Sequence, residues 1–123
     1  MKAALFVFLG GGFGSLARYL VSFFLNHEKN LLPWGTFLVN ILGSLIIGVL
    51  MGWILKQQTH NAFWILFLGV GFCGGFTTFS SFAYENQVLL KEGQLLTFFL
   101  YTAGSLILGL AAVYLGIALS RWF

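Results

Sequence analysis

Charge is what this chain has least of. Of its 123 residues only 7% are Asp, Glu, Lys or Arg, while 59% are hydrophobic. A soluble domain carries about 25% charged residues, so too little polar surface exists here to face water on all sides. The chain is therefore read as an integral membrane protein. It has no run of basic residues, which removes nucleic acid from the expected partners. The lone Cys73 excludes an internal disulfide, and in its apolar setting it reads as a small buried hydrophobe. There is no His pair at metal spacing, no paired carboxylates within an apolar stretch and no phosphate-cradling glycine loop. Nothing in the sequence therefore equips it as an enzyme. His27 and His60 both fall in polar segments, where they read as solvated loop residues.

What remains is a set of long apolar stretches separated by short polar ones. Residues 3–25 are long enough, at about 1.5 Å per residue, to cross a hydrocarbon core of about 30 Å. Lys2 ahead of this stretch superficially resembles a signal peptide, but GGGFG interrupts the apolar run, and the segment is treated as retained. His27, Glu28, Lys29 and Asn30 make a polar loop, Pro33 suits a first helical turn, and Trp34 suits an interfacial anchor. Residues 34–55 form the second span, closed by Lys56 and a polar stretch to Asn61. The fourth runs over residues 95–119, closed by Arg121 and Trp122.

The third region, residues 62–90, is anomalous. As a straight helix it would reach roughly 43 Å, and its chemistry changes midway from FWILFLGVGF to TTFSSFAYENQ. A break near Gly74 and Gly75 resolves both the length and the glycines. The expected fold is one all-α transmembrane domain over residues 1–123, with four helices, the third broken near Gly74 to Thr78.

Four spans place both termini on one side, with Lys2 and Lys56 beside Arg121; Lys29 and Lys91 fall on the other. Arg18, within the first span, adds to the second group. This near-even tally gives almost no positive-inside bias and permits insertion in both orientations, hence an antiparallel homodimer. Gly10 and Gly14, Gly48 and Gly52, and Gly71 and Gly75 each stand four apart, the spacing of close helix contacts. Packing within one chain accounts for most such pairs.

Polar residues inside the apolar stretches mark the chemistry. Arg18, Thr36, Asn40, Thr77, Thr78, Ser80, Ser81 and Glu85 are costly in a bilayer unless partnered or wetted. Thr36 and Asn40 share a helix face; Phe79 and Phe82 share one, and Thr78, Ser81 and Glu85 another. A small anion losing its hydration shell needs donors, which an Asn amide and Ser or Thr hydroxyls supply. Electropositive ring edges of Phe add to them. Arg18 either attracts anions or pairs with Glu85. Carbonyls freed at the break suit a cation.

Three motifs in order, GGGFGSLARY (residues 10–19), GTFLVNILGSLIIG (residues 35–48) and GFCGGFTTFSSF (residues 71–82), closely resemble the Fluc, or CrcB, family of fluoride channels. The likeness extends over nearly the whole chain. It implies a dual-topology homodimer in a bacterial inner membrane, with two antiparallel pores through which fluoride leaves passively. It implies a structural sodium ion held at the dimer interface by the main-chain carbonyls of Gly74 and Thr77. Phe79 and Phe82 match the family's fluoride-contacting rings and Asn40 its pore asparagine. Thr36, Ser80 and Ser81 match the polar lining, as do Tyr101 and Ser105 in the fourth span. Arg18 matches the basic residue of the first span, and Glu85 follows the ring pair as in relatives. Ser81 stands where Thr is also usual, which preserves the hydroxyl. A small multidrug-type carrier would need an acidic residue in its first span, which here holds Arg18 instead. An assembly subunit without transport would not require the Asn40, Thr and Phe set.

Overall fold

The computed structural model describes residues 1–27, 30–57 and 61–122. Glu28, Lys29 and His60, assigned above to loops, lie outside the described residues. Helix α1 spans Lys2–Leu25 and α2 spans Trp34–Gln57. Next, Ala62–Trp64, Ile65–Cys73 and Gly74–Phe76 run on as one rod, α3 (residues 62–76). Helix α4 is Phe79–Lys91 and α5 is Leu95–Ser120. Four stretches are long and apolar enough to cross a membrane, the third being α3 and α4 together, Ala62–Lys91.

Local chemistry sets the ends. Asn61 caps α3 by accepting from the Phe63 N–H at 3.0 Å, as short polar side chains do at N-caps. The Asn26 side chain accepts from the Gly35 N–H at 2.7 Å, tying the end of α1 to the start of α2. At the end of α4 the chain reverses at Gly93, whose φ of 71° suits a residue without Cβ. The N–H groups of Gly93 and Gln94 return to the carbonyls of Leu90 and Leu89, satisfying the open end of the helix. The loop expected from Lys91 to Gln94 is thus found at Glu92 to Gln94, with Lys91 the last residue of α4.

Contacts pair the helices in parallel. Phe6 meets Phe63 edge-on at 5.0 Å, Gly10 lies against Phe67, and Gly14 against Phe72 and Phe76, so α1 and α3 run side by side in one direction. Gly48 meets Val113, and Gly52 meets Ile117 and Ser120, which sets α2 and α5 likewise. At the far end Lys56 Nζ donates to the Arg121 carbonyl at 3.0 Å. All three glycine pairs singled out by spacing are thus consumed by contacts within the chain.

These contacts leave no room for a side chain. A Cβ on Gly14 would fall on the Phe72 carbonyl oxygen and lie 2.8 Å from the Phe76 nitrogen, whereas one on Gly12 would meet nothing within 4 Å. We expect Gly14→Val to force α1 and α3 apart and to eliminate the monodisperse species in gel filtration, with Gly12→Ala unchanged. Equal behaviour of the two would contradict this packing. The interior is otherwise small: Val39, Leu50, Cys73, Phe76, Leu89, Tyr101 and Ala112 are the buried hydrophobic residues among those described.

Candidate functional site

The site is built around the interruption between α3 and α4. It falls within the stretch expected from Gly74 to Thr78, at its far end. Gly74 and Gly75 remain helical, and the chain opens at Thr77 (φ −84°, ψ 160°) and Thr78 (φ −151°, ψ 121°), both extended. Gly75 is instead used for packing, against Gly11 and Ser15 of α1. The residues before the break, Ile65–Cys73, are wound as a π-helix, a wider form with bonds reaching five residues back that often accompanies functional sites.

Asn40 holds the break open. Its Oδ1 accepts from the Thr78 N–H at 2.8 Å, and its Nδ2 donates to the Thr78 carbonyl at 3.1 Å. One side-chain amide thereby replaces both helical partners of a residue that has left the helix. The Thr78 hydroxyl then accepts from the Ser81 N–H at 3.2 Å, capping α4. It also lies 3.2 Å from the Ser81 hydroxyl and 3.3 Å from that of Ser80.

Two carbonyls lose their ordinary donors in consequence. In a continuous α-helix the N–H groups of Thr78 and Ser81 would bond the carbonyls of Gly74 and Thr77. Here those N–H groups turn to Asn40 and to the Thr78 hydroxyl. Thr77 donates its own hydroxyl to the Cys73 carbonyl at 2.8 Å. Gly74 is exposed, with nothing within 4 Å of where a Cβ would be. Neutral oxygens on an open face fit a hard cation. No cluster of three or more His, Cys, Asp or Glu side chains exists among the described residues to hold a softer metal.

On the other side of the break begins α4, whose N-terminus carries partial positive charge. Phe79, its first residue, is 79% exposed. The Phe79 and Phe82 rings stand 5.9 Å apart, and Phe82 lies 5.1 Å from the ring of Tyr101. With Asn40, Ser44, Thr77 and Ser105 they line a cleft of about 380 Å³. The Ser105 hydroxyl is buried and has no hydrogen-bond partner, so a donor is free at the cleft wall.

Deeper along α4, Glu85 bears on one of the two readings left open for Arg18. No ion pair or hydrogen bond joins it to Arg18 among the described residues. Its carboxyl oxygens accept instead from the Thr36 hydroxyl at 2.6 Å and the Tyr101 hydroxyl at 2.7 Å. The physical reason is topological: α1, which carries Arg18, packs on α3, whereas α4 packs on α5 and α2. Thr36 and Tyr101 are almost fully buried, at 2% and 1% exposure, so this knot joins α2, α4 and α5 in the interior. Glu85 and Glu92, with Asn30 and Tyr84, also line a second polar cavity of about 340 Å³. The Phe82–Tyr101 ring contact and the Glu85 knot thus stand between that cavity and the cleft.

The sequence reading missed several supporting residues. Ser44 donates to the Asn40 carbonyl at 2.7 Å, and Thr102 donates to Asn86 at 2.9 Å, tying α5 to α4. Ser44 extends the four-residue spacing of Thr36 and Asn40, a signal that was available. The Asn86–Thr102 pair joins separate helices and leaves no mark in local spacing.

The family described as "CrcB-like protein, Camphor Resistance (CrcB)" matches residues 5–117. The chain belongs to the CrcB family. A protein of Gloeothece citriformis named "Fluoride-specific ion channel FluC" is 52% identical, over 98% of each chain. Proteins of the same name from Phocaeicola vulgatus and Pyrococcus abyssi are 48% and 41% identical. The first match covers 98% of this chain and 100% of the relative, the second 98% of each. These CrcB relatives are named for transport rather than for catalysis. The span matched includes α1 through most of α5, hence every residue of the break, the cleft and the Glu85 knot.

Proposed function

We propose that this chain is a fluoride-selective channel that lets fluoride leave the cell passively across the bacterial inner membrane. The observation that carries this reading is the break latched open by Asn40. It sets a helix N-terminus, the rings of Phe79 and Phe82 and several hydroxyls around one cleft. Fluoride is small and strongly hydrated, so it enters such a site only where donors replace its water. The relatives' name supports that choice of ion.

The path we assign runs past Asn40, Ser80, Ser81, Phe79, Phe82 and Ser105 toward Tyr101, Thr36 and Glu85, with Arg18 supplying positive charge toward the anion. The functional unit is a homodimer of antiparallel copies with two such pores. Its support is the near-even distribution of Lys and Arg between the two ends, together with the small interior of one chain. The carbonyls of Gly74 and Thr77 face the interface in this proposal and hold a structural sodium ion. Two carbonyls from one copy are too few to coordinate it, and the same pair from a second copy completes a shell of four. When bound, the ion offers a fixed positive charge that offsets the cost of bringing anions nearby.

The test is flux from liposomes. Purified protein under a fluoride gradient should give rapid electrogenic efflux that chloride does not match, and folded protein without fluoride flux would overturn the proposal. Ring-edge contacts worth about 1 kcal/mol each predict that Phe79→Ile and Phe82→Ile lower flux by roughly fivefold or more, with the fold intact. Normal flux in both would assign the rings to packing.

A further inference from the structure

We infer that the end of the molecule bearing Lys56 and Arg121 is a binding site for an anionic phospholipid, independent of the ion pathway. Two observations meet there. The first is an apolar groove of about 460 Å³ between α2 and α3, lined by Leu45, Ile46, Val49, Trp53, Trp64 and Leu68 among others. It lies on a different face of α2 from the cleft, whose α2 residues are Asn40, Gly43, Ser44 and Ile47. From Leu45 to Trp53 it extends about 12 Å along the helix, from mid-membrane toward the end where both termini lie. Its outer mouth is aromatic: Trp53 and Trp64 meet edge-on at 6.3 Å, and Trp64 continues through Phe63 to Phe6. Tryptophan favours the level of lipid headgroups, which sets the mouth at that depth.

The second observation is charge. Lys56 lies one helical turn beyond Trp53, on the α5 side of the groove, and its Nζ rests on the Arg121 carbonyl at 3.0 Å. Lys56 and Arg121 share a shallow cavity with Gly52 and Ser120. Lys2, a turn before Phe6, stands at the same end. Among the described residues the side-chain carboxylates, Glu85 and Glu92, lie on α4 and in the turn after it, toward the opposite end, as do Arg18 and Lys91. Lys2, Lys56 and Arg121 thus share their end with no Asp or Glu side chain among the described residues, in a chain of formal charge +3. An acyl chain in the groove would place its phosphate beside Lys56 and Arg121, a pairing of charge that a zwitterionic lipid reproduces poorly.

The chain carrying Trp34→Phe and Trp122→Phe keeps Trp53 and Trp64 as its tryptophans and reports on the groove by fluorescence. It is reconstituted in phosphatidylcholine vesicles containing a small fraction of phosphatidylglycerol with brominated chains, or of brominated phosphatidylcholine as control. Two cations near the lipid surface should enrich the anionic lipid roughly thirtyfold, read as stronger quenching. Arg121→Glu leaves the Arg121 backbone carbonyl in place for Lys56 and should abolish the preference. Lys56→Gln, which retains an N–H donor, should reduce it. Ile46→Phe, which fills the groove, should lower quenching by both lipids. Equal quenching by the two lipids, or a preference that survives Arg121→Glu, would overturn the site. So would variants that lose stability equally in both lipids with quenching unchanged, the mark of charges that only complement helix ends.

Discussion

Asn40→Leu is expected to reduce fluoride flux to the background of empty liposomes. The substitution removes both partners of the Thr78 backbone at once, since Asn40 accepts from its N–H and donates to its carbonyl. In a bilayer each unsatisfied backbone group costs several kcal/mol, so the break would close or rearrange and take Phe79 and Phe82 with it. Asn40→Asp separates this structural effect from electrostatics, because it retains an acceptor for the Thr78 N–H. A carboxylate about 4 Å from a passing anion costs about 4 kcal/mol at an effective dielectric constant of 20, or roughly a thousandfold in flux. Circular dichroism and gel filtration would confirm folding, and near-normal flux in a folded Asn40→Leu protein would show that the break does not depend on this amide.

The second large effect concerns the knot at Glu85. Glu85→Ala strips the hydroxyls of Thr36 and Tyr101 of their acceptor, both buried among α2, α4 and α5. Hydrogen bonds between membrane helices are worth about 0.6 kcal/mol on average and up to about 1.7. Loss of two predicts roughly 1–3 kcal/mol, measurable as a lower midpoint of unfolding in mixed detergent. The sharper expectation is non-additivity: Tyr101→Phe should destabilise the native chain but change little in the Glu85→Ala background, because the bond is already gone. Additive effects would mean that the Tyr101 hydroxyl stabilises the chain through a partner other than Glu85.

Arg18 shows why such partnerships were hard to read in advance. From sequence, Arg18 reads either as attracting anions or as pairing with Glu85, its opposite charge in apolar surroundings. Folding places α1 against α3 and turns α4 toward α5, and Glu85 is satisfied by two hydroxyls instead. Thr36 and Tyr101 were both recognised as polar lining, but their joint acceptor is separated from them by 49 and 16 residues. No local pattern encodes that.

The break illustrates the same division at finer scale. That the third apolar region must be interrupted followed from its length and from a change in chemistry at its midpoint, because bilayer thickness limits a straight helix. Its placement at Thr77 and Thr78, rather than at the glycines, was decided by Asn40 reaching across from α2, 38 residues away.

By itself, then, the sequence determined the medium, the number of spans and the motifs shared with the CrcB family. Composition and apolar length are local properties, and a bilayer responds to them directly. Only tertiary structure decided which helices pair, which N–H groups desert the Gly74 and Thr77 carbonyls, and which hydroxyls hold Glu85. Those outcomes depend on groups distant in sequence competing for the same few partners, in a medium that supplies no water to replace them.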